Sequence, residues 1–421
     1  MAKILLIGKA LFFTLLCLFA LNCRAQDTAT EIFDSNFKTL QIAINGNYLT
    51  PPILNMQAGD AMTVEFDEIA EDRRYLRYCV QHCNADWTPS SLVESEYLGG
   101  FNMADITDYD FSQATMVHYV HYRLSFPNND LYVTKSGNYL LKVYDEEDPE
   151  TILLQARFYV CEAVAKTSVE ITTRTDIDYN EHHQQLSLGI DCTKARVRDV
   201  FTELKVKVIQ NSRTDNTVNL SSPTRVVGKK AYYEHLRNLI FPAGNEYRRF
   251  ENTSVHYPGM RVENVEYHHP YYHATLFMDE PRAYDQYLYD QTQFGRYVIR
   301  EYNSANSDIE AEYVAVHFTL DAPHYANYEV HLDGDFLYRR FSPESAMTWN
   351  RETDRYEKTL LMKQGAYNYQ YLAVKNGVGF TSTIEGDNYQ TVNEYTILVY
   401  TRQPGDRYDR LISAAVAYSN Y

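Results

Sequence analysis

The sequence predicts an all-β fold of tandem immunoglobulin-like, early-set β-sandwich domains, and three observations lead there. Tyr and Phe are abundant, 38 and 19 residues beside 17 Gly and 13 Pro, a composition that suits pleated, half-buried strands. Apolar residues alternate with polar ones at a period of two in several separated runs, the pattern of strands with one buried face. No long, capped, 3.6-period apolar stripe occurs, so helices are not expected to carry the core. At 421 residues the chain exceeds one ordinary domain, and about 150 residues per domain suggests roughly three.

Residues 1–25 read as a secretory signal peptide. Lys3 and Lys9 supply the positive start, and Ala10 to Leu21 form an apolar run broken only by Thr14, too short to span a bilayer. Cys23-Arg24-Ala25 offers small residues at the first and third positions before Gln26, as leader cleavage requires. The mature chain is expected to begin at Gln26. Cys23 is the alternative as a lipidation site, which Asn22 disfavours. No later stretch is apolar enough to insert in a membrane.

The first block, 26–162, has Met116, His118, Val120, Tyr122, Leu124 and Phe126 on one face of an expected strand. Ile152, Leu154, Ala156, Phe158 and Val160 repeat the pattern. Pro127-Asn-Asn-Asp130 and Lys135-Ser-Gly-Asn138 supply turn chemistry between strands. The middle block, 163–305, has expected strands at Ser168–Thr173, Gln185–Ile190 and Glu203–Gln210. The third, 306–421, has them at Tyr313–Leu320, Tyr356–Met362, Tyr367–Val374 and Glu394–Tyr400, followed by a tail.

Four cysteines remain after the leader, Cys79, Cys83, Cys161 and Cys192, too few for a disulfide scaffold. Cys79 and Cys83 share an expected strand, where a separation of four residues is about 13 Å, beyond reach of a direct bridge. Removing Lys3, Lys9 and Arg24 from the 39 cations leaves 36 against 56 acidic residues, a net −20. That balance argues against nucleic acid and against anionic lipid as partners.

Candidate chemistry is sparse. His118 and His121 are three apart in an expected strand, which puts their rings on opposite faces and denies them a common ion. His118, on the apolar face, reads as a core histidine. His268-His269-Pro270-Tyr-Tyr-His273 is the densest histidine cluster. Pro270 breaks regular pairing there, so His269 and His273 could converge on a metal; the alternative is a Pro-initiated strand with His273 on its polar face. The chain has no Gly-x-Ser-x-Gly elbow, His-Glu-x-x-His, phosphate-cradling Gly-Lys-Ser/Thr or Cys-x-x-Cys. No catalytic residue, metal ligand or cofactor is assigned, and an enzyme is not expected.

Two patterns carry recognition. Tyr78-x-x-x-His82-Cys-Asn-Ala-Asp86-Trp87-Thr-Pro-Ser90 leads to Glu96-Tyr-Leu-Gly-Gly100-Phe101. Thr115-x-x-x-Tyr119-Val-His-Tyr122, Phe126-Pro127-Asn128 and Ser136-Gly-Asn-Tyr139 follow. This string resembles the first domain of the type IX secretion system plug family of Bacteroidota, and the likeness continues through Gly244-Asn-Glu-Tyr-Arg248 and Pro404-Gly-Asp-Arg-Tyr-Asp409. These residues suit structural jobs: Asp86 tying a turn, Trp87 filling the core beneath it, Gly99-Gly100 permitting a tight bend before Phe101. The second pattern, Tyr328-Glu-Val-His-Leu-Asp-Gly-Asp335 through Trp349 to Gly365-Ala-Tyr-Asn-Tyr-Gln-Tyr371, resembles an early-set immunoglobulin-like domain of the glycogen-binding type. One tryptophan makes a poor sugar platform, so carbohydrate is not the expected partner.

The family resemblance implies a non-catalytic periplasmic plug, peripheral to the outer membrane, that binds and occludes the translocon barrel of the type IX secretion system. The residues of that interface are not legible. Two other readings stay open, a periplasmic carbohydrate-binding protein and a metal-dependent hydrolase.

Overall fold

The computed structural model describes residues 28–420, and the expected leader, its cleavage site and Cys23 lie outside them. The first sandwich opposes two antiparallel sheets. One runs Phe37–Ile44, Met62–Glu68, Val120–Phe126, Asp108–Phe111 in spatial order. The other runs Glu31–Ile32, Asp148–Cys161, Gly137–Asp145, Leu76–Cys83, Ala104–Asp105, with Ile53–Asn55 added in parallel to the long strand. Val64, Phe66, Val120 and Tyr122 from the first sheet meet Tyr78, Val80, Tyr139, Leu141 and Phe158 from the second in one core. The alternation expected along 116–126 holds from Val120 onward. Before it, the chain leaves the ladder: pairing with Met62–Glu68 begins at Glu68↔Val120, and the Met116 and Val117 amides turn instead to the Glu312 carboxylate. His118 is therefore no core histidine; it is exposed and paired with Glu71. The buried one is His121.

The middle and third sandwiches are interleaved in sequence. Lys166–Thr172, His183–Asp191, Lys230–Tyr233 and Arg225–Val227 form one sheet of the middle unit. Its other sheet runs Thr217–Leu220, Leu204–Gln210, Glu394–Thr401, Arg410–Tyr418. Leu186, Leu188, Ile190, Val206 and Val208 thus share a core with Tyr395, Ile397, Val399 and Ile412. The expected division at 305/306 does not follow the cores. Residues after 390 belong to the middle sandwich, and the expected tail is its nine-residue edge strand.

The third sandwich correspondingly starts before 306. Arg248–Glu251, Val262–His268, Tyr271–Leu276 and Tyr297–Ile299 join the strands Tyr313–Leu320, Glu329–Asp333, Arg355–Lys363 and Gly365–Lys375. Phe250, Ala274 and Leu276 pack with Val316, Phe318, Leu332, Tyr369 and Tyr371. The third sandwich is an insertion in the second, which a linear reading of hydrophobic runs does not reveal. The Leu76–Cys83 strand keeps Cys79 and Cys83 apart, and all four described cysteines are free thiols.

Because Glu394–Thr401 is the central strand between Leu204–Gln210 and Arg410–Tyr418, a chain truncated after Gln390 should lose hydrogen-exchange protection throughout 183–233, far upstream of the cut. Retained protection there would mean that the middle sandwich folds without its C-terminal strands.

Candidate functional site

Several of the resemblance-carrying residues, His82, Asp86, Tyr119 and Asp409 among them, gather at joints between sandwiches. After the Leu76–Cys83 strand the chain turns through Asn84–Trp87, closed by the Trp87 amide on the Asn84 carbonyl at 2.9 Å. Asp86 accepts from the Thr88 amide at 3.0 Å and the Thr88 hydroxyl at 2.6 Å, an Asx turn. Trp87 sits at φ +67°, a rare conformation for a bulky residue that packing must enforce. It covers Cys83, Leu140 and Tyr159 on the outer face of the sheet, under the Arg157 guanidinium at 4.1 Å. It is buried, but in a satellite cluster and not in the main core.

His82, buried, meets the Ser136 carbonyl through Nε2 at 3.0 Å and is ringed by Tyr97, Tyr139 and Tyr408. Burial pushes its pKa down, against the pull of Ser136 and Asp409, so it sits as a neutral imidazole. Gly137, at φ +144°, passes so close that a Cβ would lie 2.5 Å from His82 Nε2. Tyr408 belongs to the loop 404–409, whose Asp409 accepts from the Ala85 amide at 3.1 Å and pairs with Lys205 at 2.8 Å. Tyr400 donates to Asn138 at 2.6 Å. The first and middle sandwiches are thus joined through the first and last stretches of the string.

The joint between the first and third sandwiches is ionic and buried. Asp67 takes His121 Nδ1 on one oxygen at 2.7 Å; on the other it takes the Tyr313 hydroxyl and the Lys363 ammonium, each at 2.6 Å. Lys363 also donates to the Asp308 carbonyl at 2.5 Å and lies 4.2 Å over the Tyr119 ring. Tyr119 donates to the Ala311 carbonyl at 2.9 Å. Tyr122 turns inward to Glu68 at 3.1 Å. Burial alone would raise the Asp67 pKa, but Lys363 and His121 outweigh it and hold it below the usual range.

Within the third sandwich, Arg248 of the string binds Glu385 at 3.0 Å and Asp279 at 2.8 Å, and Arg282 reaches Glu385 at 2.6 Å. These two cations overcome burial and hold Glu385 at about 2. Arg296 fastens the third sandwich to Glu394 of the middle one at 2.6 Å.

Glu65, His121 and Asp308 are the group of potential metal ligands brought within 4.8 Å of one another among the described residues. The Arg123 guanidinium occupies the space between them, 2.8 Å from Glu65, 3.0 Å from Asp308 and 3.4 Å from His121. The cluster is a cation site already filled by the chain. A cavity of about 200 Å³ where the sandwiches meet is lined by Arg296, Arg339 and Arg340, each committed to a carboxylate, Glu394, Asp333 and Glu31 respectively. His269 does not converge with His273: it sits in the turn, 3.4 Å from the Tyr267 hydroxyl, while His273 faces His317. Trp349 packs on Tyr356 and His324.

One aromatic residue of the string, Phe101, is exposed to solvent. Gly100, at φ +92°, runs so close to the neighbouring ribbon that a Cβ would lie 1.8 Å from the Asp130 carbonyl oxygen. Asn102 pins the next turn by bonding both the Val80 amide, at 2.8 Å, and the Val80 carbonyl, at 3.0 Å. Phe101, held between these two fixed residues, is 86% exposed, with Met103, Tyr132 and Val93 also exposed. Phe126 is buried against Phe158, cis-Pro127 follows it, and Asn128 ties the turn to the Tyr78 hydroxyl at 2.7 Å.

A family model described as the type IX secretion system plug protein, first domain, matches residues 37–162. The crystal structure of a hypothetical protein from Parabacteroides merdae ATCC 43184 superposes with a TM-score of 0.92 at 41% identity, covering 93% of this chain and 99% of that one. The chain belongs to the type IX secretion system plug family. The partial N-terminal region of an enterococcal surface protein aligns over 94% of this chain and 97% of its own at 7% identity and a TM-score of 0.22, which carries no argument. No curated protein matches. Plug-family membership implies a part in type IX secretion, association with its machinery and an envelope-associated location; no catalytic family is indicated. No helix among the described residues is long and apolar enough to cross a membrane.

For this plug-family chain, sequence reasoning missed Asp67, Lys363, Tyr313 and Glu312. Lys363 shares a face with Leu361 and Thr359 and reads as a solvated lysine on a strand edge. Only the docking of another sandwich buries it.

Removing one member of a buried pair leaves the other charged and dry, so Lys363→Ala should lower stability by about 3–5 kcal/mol. Adding Asp67→Asn to it should cost less than the two single changes summed. Urea unfolding of the full chain checks both. The depressed carboxylates fix the sign of the acid limb. Stability from Asp67 and Glu385 is fully present above the ordinary carboxylate pKa of about 4 and is lost as pH falls through their folded values. Glu385→Gln should therefore lower stability near neutrality and flatten its decline between about pH 4 and pH 2, read from thermal midpoints across that range.

Proposed function

We propose that the mature chain, beginning at Gln26, is a periplasmic body that sits over the mouth of the outer-membrane translocon barrel and closes it when no cargo occupies it. Its work is steric and needs no catalysis. The observation that carries this reading is the buried ionic fastening of one sandwich to the next, centred on Asp67 and Lys363. An occluding body must be broader than the pore and unable to fold aside under load, and sandwiches locked by desolvated charge pairs meet that demand.

Phe101 is the contact we assign to the partner. An ordered aromatic, presented by a backbone with no freedom to retract, loses little entropy on binding and suits an anchor that enters an apolar slot. The net −20 of the mature chain favours a slot bordered by cationic side chains and quickens docking more than it sets affinity.

Deleting the protein should make the envelope permeable to large antibiotics while secreted cargo continues to leave the cell. Affinity purification from the native envelope should recover the translocon barrel. Phe101→Asp should reduce that recovery at least about tenfold, the loss expected of a central anchor, with the fold intact by circular dichroism. A chain that never meets the barrel, or an envelope that stays tight without it, would overturn the plug reading. Full recovery by the Phe101→Asp variant would remove only this contact.

A further inference from the structure

The strand register of the middle sandwich gathers several of its loops at one end. His183–Asp191 stops at Asp191, which lies opposite Lys166 on one neighbouring strand and Lys230 on the other. From there 192–203 crosses to the second sheet, which it enters at Leu204, opposite Thr401. The Arg225–Val227 and Lys230–Tyr233 strands turn at the same end through Gly228. Two bonds tie that turn to the crossing: the Cys192 amide donates to the Lys229 carbonyl at 2.9 Å, and Lys229 Nζ donates to the Val197 carbonyl at 3.1 Å.

These loops carry a group of cations on an otherwise acidic molecule. Lys166, Lys194, Arg196, Arg198, Lys229 and Lys230 are all exposed there. Among the described residues no carboxylate pairs with Lys166, Lys194, Arg196 or Arg198. The carboxylates of the same end are turned back on their own backbone. Asp191 accepts from the Thr193 amide at 2.9 Å and takes Lys230 at 3.2 Å. Asp199 accepts from the Phe201 amide at 2.9 Å and the Thr202 hydroxyl at 2.8 Å, and Glu203, buried, accepts from the Arg198 amide at 3.0 Å. Two apolar side chains stand out among the cations. Val227, beside the turn, is 55% exposed and Phe201, on the crossing, 50%.

We infer that this end of the middle sandwich is a docking surface for an anionic bilayer, its cations over the lipid phosphates and Val227 and Phe201 in the headgroup layer. The net −20 of the mature chain underlies the expectation against anionic lipid, but it does not govern this contact. At physiological ionic strength charges are screened beyond about 8 Å, so a bilayer senses the loops nearest to it and not the sum over the molecule. Each Lys or Arg close to an anionic leaflet strengthens partitioning about fivefold, and apolar side chains that reach the acyl boundary add burial to that attraction. A folded acidic protein fits this end less well. Protein interfaces deplete charge around their apolar anchors, whereas here cations and apolar tips are mixed. The contact is peripheral and asks for no membrane-spanning segment.

The test is flotation of the untagged chain from Gln26 to Tyr421 with vesicles of phosphatidylcholine alone or mixed with phosphatidylglycerol. Binding should require the anionic lipid and fall as salt rises. Arg196→Glu combined with Arg198→Glu should weaken it at least about 25-fold, two cations at about fivefold each. Arg300→Glu combined with Arg351→Glu makes the same change in net charge on exposed cations of the third sandwich and should leave binding near the wild-type value. Phe201→Trp should shift emission to the blue, beyond any shift of the parent chain, when anionic vesicles are added. Circular dichroism of each variant shows that the fold persists. Absence of binding, binding that ignores the charge of the lipid, or an equal loss in the two double variants would overturn the inference. None of these outcomes bears on the plug reading, because the vesicles hold no barrel.

Discussion

A desolvated charge pair holds this molecule in register. Asp67 and Lys363 are each almost wholly buried, 2.6 Å apart, and each comes from a different sandwich. Taking both ions out of water costs several kcal/mol apiece, repaid only when geometry and further hydrogen bonds satisfy the remaining lone pairs and protons. The structure supplies them: His121 and Tyr313 complete the carboxylate, and the Asp308 carbonyl with the Tyr119 ring completes the ammonium. An apolar joint tolerates sliding, because apolar attraction has no direction. This one does not, because a displacement of an ångström or two would strand a buried charge.

The same logic places the residues that carry the family resemblance. They do not line a cleft. His82, Asp86 and Trp87 build the turn that receives Tyr408 and Asp409 from the far end of the chain, Tyr119 joins the first sandwich to the third, and Arg248 holds the third together from within. A string spread over 330 residues of sequence thus converges on how the sandwiches are held. Tyr122, Phe126 and Asn128 serve the inside of the first sandwich, and Phe101 serves neither. The backbone constraints around it, a glycine that admits no Cβ and an asparagine bonded to both sides of Val80, serve to present a side chain to solvent, which internal stability does not require.

What was legible in the sequence follows from what is local. Tyr313–Leu320 forms over the residues its alternation marks, and Arg355–Lys363 and Glu394–Thr401 differ by a residue or two at their ends, because period-two burial is a property of the strand itself. Partner strands are not local. Leu204–Gln210 pairs with Glu394–Thr401 nearly 200 residues away, and both would be equally apolar in a sandwich of neighbours, so the insertion of one unit in another left no mark. His118 and His121 show the limit within a strand. Their placement depends on where the ladder stops, and that is decided by Glu312 of another sandwich capturing two amides.

The joints also constrain how such a body could leave a pore. Hinged opening requires an interface that can be parted and re-made at low cost, usually polar, wet and modest in area. Parting Asp67 from Lys363 admits water to one charge only as it withdraws it from a fitted partner, and it breaks the Tyr313, Tyr119 and Glu312 bonds in the same movement. The middle sandwich cannot swing free either, because its central strand follows the inserted third sandwich in the chain and Arg296 pins the two through Glu394. Any exchange between a closing and a released state must therefore be a rigid-body docking and undocking at the outer surface. In the proposed plugging role, control of release would rest with the partner and with surface contacts such as Phe101, not with a conformational switch inside the fold.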